Sequence, residues 1–234
     1  MLVALVCDRL WATLFPPRCI GCERRGTPLC DACRPQLPYV RGDVCRRCAL
    51  RRPSPLPEVP RCRGCAEISS ALHSVRAVFI FEGAVRRAVH VLKFRGGRYL
   101  VPTLAALIDE ELQRRPVSAE LVIPVPISPR RLRDRGFNQA ELLARPLAAR
   151  LGVRLGRDVL VRADRPPQST LDAQARRRNL QGAIRCRVAG GLGGRSVLLV
   201  DDVMTTGATL SVCADALLDA GAGAVRGLVF ARDL

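Results

Sequence analysis

Val197-Leu-Leu-Val-Asp-Asp-Val-Met-Thr-Thr-Gly-Ala-Thr-Leu210 decides the fold. Four consecutive apolar residues, 197–200, read as a strand buried on both faces, which is the habit of parallel sheets. Asp201 and Asp202 stand at its carboxyl end, a hydroxyl- and glycine-rich turn follows, and residues 209–220 then read as a helix stopped by Gly221. In open α/β sheets ligands bind beyond the carboxyl ends of strands, where adjacent carboxylates can accept hydrogen bonds from a vicinal diol. The turn 204–209 can aim backbone amides and hydroxyls at a phosphate, helped by the helix amino terminus, and Gly207 permits close approach. Diol plus phosphate describes a ribose 5-phosphate. An acidic strand end with an ordinary helix cap would explain Asp202 or Thr206 alone, but not the whole run.

Working outward, residues 77–81 read as a strand, 85–94 and 101–114 as helices, and 121–125 as a short apolar strand before a Pro/Arg-rich loop. Residues 137–151 have helical spacing with Pro146 as a kink, 162–178 form a long polar, basic loop, and 224–230 a final strand. Strands and helices alternating at this rhythm give βαβ units and a parallel sheet flanked by helices. No Gly-Lys-Thr/Ser follows any glycine-rich loop, which disfavours a nucleoside-triphosphate hydrolase.

The amino-terminal part has a different composition. Eight of the eleven cysteines form Cys-x-x-Cys pairs: Cys19/Cys22, Cys30/Cys33, Cys45/Cys48 and Cys62/Cys65. Two such pairs complete a four-sulfur zinc site, so four pairs make two structural sites with no position open for substrate. Pairing in sequence order gives two ribbon-like sites, and the interleaved arrangement stays open. A redox dithiol would need far fewer pairs. Cys7, Cys186 and Cys213 stand alone and read as small core residues. The proline-rich stretch 53–60 is a loop, and the organisation expected is a double zinc ribbon over residues 1–70 followed by an α/β domain over 71–234.

The chain has 234 residues, 48% hydrophobic and 25% charged, with mean hydropathy +0.10. That supports a core of ordinary size and excludes wholesale disorder, a disulfide miniprotein and a repeat array. No run is long enough for a membrane span, and the apolar start, interrupted by Asp8 and Arg9, lacks the features of a signal peptide. It reads as a short amphipathic helix, and the cysteine usage with it points to a reducing, cytoplasmic setting. The net charge is +17, and Lys93 is the only lysine among 38 basic residues. Such a balance suits phosphate-bearing partners. Aromatic residues make up 4% of the chain, and no basic stretch is read as interleaved with them, which argues against a dedicated single-strand stacking platform.

The run 197–210 resembles the phosphoribosyl-pyrophosphate (PRPP) binding motif of type I phosphoribosyltransferases: hydrophobic strand, Asp-Asp, then Thr-Thr-Gly-x-Thr. Taken with the cysteine pairs, Leu92-Lys-Phe-Arg-Gly96, Arg135-Gly-Phe-Asn-Gln139 and the frame Gln168, Leu171, Arg176, Asn179, Leu180, the chain resembles the ComF family over nearly its whole length. The resemblance implies a zinc-ribbon head on a phosphoribosyltransferase-like body. It further implies that Asp201 and Asp202 hold the ribose hydroxyls, that Thr205, Thr206, Gly207, Ala208 and Thr209 hold the 5-phosphate, and that Val203 and Met204 belong to the same PRPP-binding run. Arg176 would then lie on a flexible catalytic loop, and Arg130, Arg131 and Arg135 on a loop suited to pyrophosphate. Lys93 and His90 could reach a polyphosphate, or be an ordinary surface lysine and a capping histidine.

The implied reaction displaces pyrophosphate from C1 of the ribose, with Mg²⁺ bridging pyrophosphate and ribose oxygens and arginines neutralising the departing charge. Residues 71–115 would hood the acceptor, which nothing in them names. The alternative is a non-catalytic factor that keeps the PRPP fold as a scaffold. The competence association implies single-stranded DNA or DNA-uptake proteins as partners.

Overall fold

The computed structural model describes residues 16–42, 44, 45, 47–50, 62–66, 68–164, 182–188 and 191–233. The expected amino-terminal helix, Cys7, the proline loop and the frame from Gln168 to Leu180 with Arg176 lie outside them. Among the described residues no helix is long and apolar enough to cross a membrane.

Five parallel strands form the central sheet: β1 (Leu72–Ile80), β2 (Leu121–Pro124), β3 (Arg154–Leu155), β6 (Ser196–Met204) and β7 (Ala224–Arg232), in the order β1-β7-β6-β2-β3. A separate antiparallel hairpin pairs β4 (Leu160–Arg162) with β5 (Ile184–Cys186). The helices are α1 (Gly83–Phe94), α2 (Val101–Arg114), α3 (Pro129–Arg135), α4 (Gln139–Leu151) and α5 (Ala208–Asp219).

Successive side chains on a strand point to opposite faces, and β6 sorts its apolar residues accordingly. Leu198 and Val200 join the core beneath α1, α2 and α4, with Leu92, Leu104, Leu143 and Phe230. Val197 and Leu199 join the opposite core, with Leu210, Leu217, Val225 and the second cysteine group. Both faces of the central strands are covered, which is why residues 197–200 carry no polar alternation.

Several elements depart from the sequence reading. The stretch expected as a Pro/Arg-rich loop contains α3, with Ser128 accepting a hydrogen bond from the Arg131 amide at 3.5 Å, Pro129 in the first turn and Gly136 in the left-handed conformation that ends it. Strand β4 includes Arg162, which was read as the start of a loop. Strand β6 extends four residues past Val200, because β7 is long enough to pair with it as far as Met204 opposite Arg232. Residues 71–115, expected as a hood, supply the edge strand β1 and the two helices α1 and α2 of one core layer.

The amino-terminal segment covers the outer edge of β1. Tyr39 bridges Phe79 antiparallel, the Val40 amide donates to Val78 O at 3.0 Å, and the Ile80 amide donates to Pro38 O at 2.7 Å. Arg87 on α1 donates to Ile20 O at 2.9 Å, Arg34 pairs with Glu110 on α2, and the Arg114 guanidinium lies 5.6 Å from the Tyr39 ring centre. An open strand edge invites foreign pairing, so this strap closes one flank of the sheet.

Candidate functional site

From β2 the chain crosses to β3 on one side, and from β6 to β7 on the other, so the direction of winding reverses between β2 and β6. The crevice beyond the carboxyl ends of these two strands is where ligands of doubly wound sheets bind. Strand β2 ends at Pro124 opposite Val200, and the Val125 amide makes one further bond to Val200 O at 2.9 Å. Asp201 and Asp202 come next on β6. They lie inside that strand rather than past its end, paired on the β7 side and free of β2 on the other.

Alternation starts the two side chains towards opposite faces, but the Asp201 carboxyl turns back along the backbone and stays within hydrogen-bonding reach of the Asp202 carboxyl. Asp202, 3% exposed, faces α1 and α4, where Lys93 Nζ pairs with its Oδ2 and Gln139 Nε2 donates to its Oδ1 at 3.4 Å. Asp201 faces the layer of α5 and β4 and accepts from the Asp202 amide at 2.8 Å. Burial and the neighbouring Asp202 charge push the Asp201 carboxyl well above the ordinary range.

The turn after β6 is open. Thr205 is exposed, Thr206 and Thr209 are partly so, and the Thr206 hydroxyl accepts from the Ala208 amide at 3.3 Å where α5 begins. Gly207 adopts φ +84°, and a Cβ there would meet the side chains of Met204 and Ile68. Met204 and Ala208 are buried and turn their side chains into the protein, so only their backbone can face a ligand.

Arginines gather on the other wall. Arg135, half-buried in the last turn of α3, donates to Gln139 Oε1, which ties it to the Asp202 cluster. Arg130 and Arg131 are exposed in the first turns of α3, and the Arg130 amide donates to the Asp164 carboxylate at 3.0 and 3.1 Å. Burial holds the guanidinium groups of Arg135 and Arg162 below their ordinary value, and the Arg131 charge pushes both further down. Arg131 thus lies close enough to repel both other guanidinium groups, while Arg135 feels the Asp202 charge and Arg162 those of Asp201 and Asp164. Arg162 was missed in the sequence, and its only signal is an arginine ending a short apolar run.

Outside this crevice, His90 is exposed with its ring 5.1 Å from that of Phe94. Phe94 is 67% and Tyr99 47% exposed. The Arg135 guanidinium lies 5.4 Å from the Phe94 ring centre, and that of Arg98 lies 5.6 Å from Phe137. Lys93-Phe-Arg-Gly-Gly-Arg-Tyr99 is thus a basic stretch with aromatics interleaved, which corrects the expectation that the chain has none.

The cysteines assemble in sequence order. Cys19, Cys22, Cys30 and Cys33 form one tetrad and Cys45, Cys48, Cys62 and Cys65 the other, each with its sulfurs within 4.8 Å of one another. Separations of 3.6 Å for Cys19–Cys30, 3.8 Å for Cys22–Cys30 and 3.2–3.4 Å in the second tetrad approach the about 3.8 Å of four thiolates around zinc. All eight thiols are free of disulfides, as zinc ligation requires. Amides of Gly21 and Cys30 donate to Cys19 Sγ at 3.4 Å. Burial would raise the Cys19 thiol, but the amides of Cys22, Cys30 and Gly21 outweigh it and bring the thiol down to about 6. Both tetrads fit Zn²⁺. Cys213 is buried in the core and Cys186 is partly buried beside it, as read from the sequence.

Comparison with known proteins matches residues 10–67 to the double zinc ribbon domain and residues 138–233 to the phosphoribosyl transferase domain. The DNA utilization protein YhgH of Salmonella typhimurium is 32% identical, over 88% of this chain and 91% of its own. Competence protein ComFC of Bacillus subtilis is 28% identical over 95% and 91%, and competence protein F of Haemophilus influenzae 29% over 82% and 80%. Two cysteine tetrads on a sheet whose switch point carries Asp-Asp-Val-Met-Thr-Thr-Gly-Ala-Thr match that pairing of domains, and the chain belongs to the family of the competence proteins ComF and ComFC and the DNA utilization protein YhgH.

Proposed function

We propose that the crevice between β2 and β6 binds PRPP and that the protein works as a phosphoribosyltransferase. The observation that carries this reading is the junction of Asp201 and Asp202 with the open turn 205–209 at the switch point, faced by Lys93, Arg131, Arg135 and Arg162. The carboxylates accept hydrogen bonds from the ribose hydroxyls, and the turn's amides and threonine hydroxyls take the 5-phosphate. Asp202 exchanges part of its contact with Lys93 for a ribose hydroxyl. Displacement then breaks the bond from C1 to pyrophosphate and forms one from C1 to the acceptor, which gives up a proton. The arginines balance the departing charge. Two adjacent carboxylates are the hard oxygen donors that Mg²⁺ takes, and the ion would supply further neutralisation of the pyrophosphate. Arg176, from the segment outside the described residues, is assigned to the leaving group.

DNA handling is the second part of the proposal, drawn from the relatives named for competence and DNA utilization. What supports it in this chain is the pair of exposed rings Phe94 and Tyr99 set among Arg95, Arg98 and Arg135, which combines aromatic surface with cations for an unpaired strand. The non-catalytic alternative shares the same site and differs only in turnover.

Calorimetry with PRPP and Mg²⁺ tests the site. Asp201→Asn with Asp202→Asn is expected to abolish binding and leave two zinc ions per chain, and unchanged affinity would remove the assignment. Release of pyrophosphate in the presence of a panel of bases and amines separates the enzyme from the scaffold.

A further inference from the structure

The second cysteine tetrad is built against the turn that the function reading assigns to phosphate. Cys48, Cys65, Ile68, Met204 and Leu210 share one core cluster. Ile68, three residues past the last ligand, is 5% exposed and sits under Gly207, its Cγ2 2.7 Å from where a Cβ on that glycine would stand. Ser69 follows, and its amide donates to Ser211 Oγ at 2.9 Å while its hydroxyl donates to Asp215 Oδ1, both on α5. The Ser211 amide in turn donates to Gly207 O at 2.9 Å. Arg47, between Cys45 and Cys48, donates from Nη2 to Ser69 O at 3.1 Å, and its own carbonyl accepts from the Val75 amide at 2.8 Å. A continuous set of contacts therefore runs from the cysteine knuckle through Ser69 to the first turn of α5. The first tetrad is placed differently: its neighbours Ile20 and Gly21 accept from Arg87 on α1, and Arg34 pairs with Glu110 on α2.

We propose that Ile68 and Ser69 are positioning residues that link the second tetrad to the phosphate turn, so that zinc at Cys45, Cys48, Cys62 and Cys65 and ligand at residues 205–209 strengthen each other's binding. The first tetrad stays outside this linkage. Coupling between two sites is reciprocal: whatever an ordered tetrad adds to ligand affinity, bound ligand adds to zinc affinity. The inference rests on the PRPP reading for its ligand and on the contacts above for its path.

The experiment follows zinc leaving the fully loaded protein into excess 4-(2-pyridylazo)resorcinol, with and without PRPP and Mg²⁺. One of the two zinc ions is expected to leave at least about fivefold more slowly with ligand present, the low end of ordinary coupling. The protected ion persists when the first site is removed by Cys19→Ser and Cys22→Ser. Protection disappears in Ser69→Ala and in Ile68→Ala, while the unprotected ion leaves at its wild-type rate. Equal slowing of both ions, or of neither while calorimetry shows PRPP bound, overturns the linkage. A second readout needs no ligand: hydrogen exchange at the amides of 207–211 should quicken in Ser69→Ala with the amides of β2 unchanged. If calorimetry shows no PRPP binding, the function reading falls and this exchange pattern alone decides. Exchange at 207–211 identical to wild type overturns the proposal.

Discussion

Gly207→Ala isolates the shape of the phosphate turn, because Gly221 supplies a matched control. Both glycines have left-handed backbones, φ +84° at Gly207 and +87° at Gly221, so alanine at either bears a conformational cost of roughly 1 kcal/mol. Around Gly221 a new Cβ meets nothing within 4 Å, whereas at Gly207 it stands 2.7 Å from Ile68 Cγ2 and against Met204 Cε. The Met204 methyl is the end of a flexible chain and can swing aside. Ile68 is β-branched and buried, so its response requires movement of the turn or of the ribbon behind it. Forcing a methyl into such packing costs about 1–3 kcal/mol beyond the backbone term. For a chain of this size that difference is a melting temperature roughly 2–12 °C below that of Gly221→Ala. Thermal unfolding of the two zinc-saturated variants, with PRPP calorimetry on both, measures it, and Gly207→Ala should also lose ligand affinity. If both variants melt together and bind PRPP alike, the turn is not held by Ile68 and does not need its close approach.

Asp201, held above the ordinary carboxyl value, binds its proton more tightly folded than unfolded. Stability should therefore fall as pH rises from about 4, the unfolded value, through the raised one, and Asp201→Asn should flatten the urea midpoint across that window; parallel profiles would refute the shift. Lys93→Met leaves the Asp202 charge buried without its cation and should cost about 3 kcal/mol of unfolding free energy. Asp202→Asn added to it should restore most of that loss, and simple additivity in urea titrations would show that the pair is not coupled. Replacing Phe94 and Tyr99 together by alanine should weaken binding of a single-stranded oligo(dT) by about tenfold or more in fluorescence anisotropy, with the salt slope kept. A strand of abasic sites should bind wild type and variant alike, and a loss on that strand as large as on oligo(dT) would rule out stacking.

The parallel sheet was legible because residues 197–200 are apolar without alternation and Asp201 and Asp202 follow at once. Helix α2 matched its spacing end to end because both of its faces obey one period. The cysteine tetrads were legible as pairs, but only their three-dimensional assembly settled which pair joins which. Helix α3 was misread since its arginines show no apolar period, although Ser128-Pro129 and Gly136 mark its ends. The opposite facing of Asp201 and Asp202 could have been read from strand alternation, had the strand been extended past Val200. What extended it is pairing with β7, a contact between distant parts of the chain. Arg162 owes its place at the site to the β4–β5 hairpin, whose partner strand is 22 residues away, from Arg162 to Ile184.

The strap over β1 also has a bearing on how the chain fares when zinc is scarce. The residues that pair with Val78 and Ile80 belong to the linker between the two tetrads, so a metal-starved ribbon that lets go of them bares a long, mostly apolar strand margin. Such a margin is a template for other copies, and zinc supply would then govern whether newly made molecules remain dispersed or coalesce.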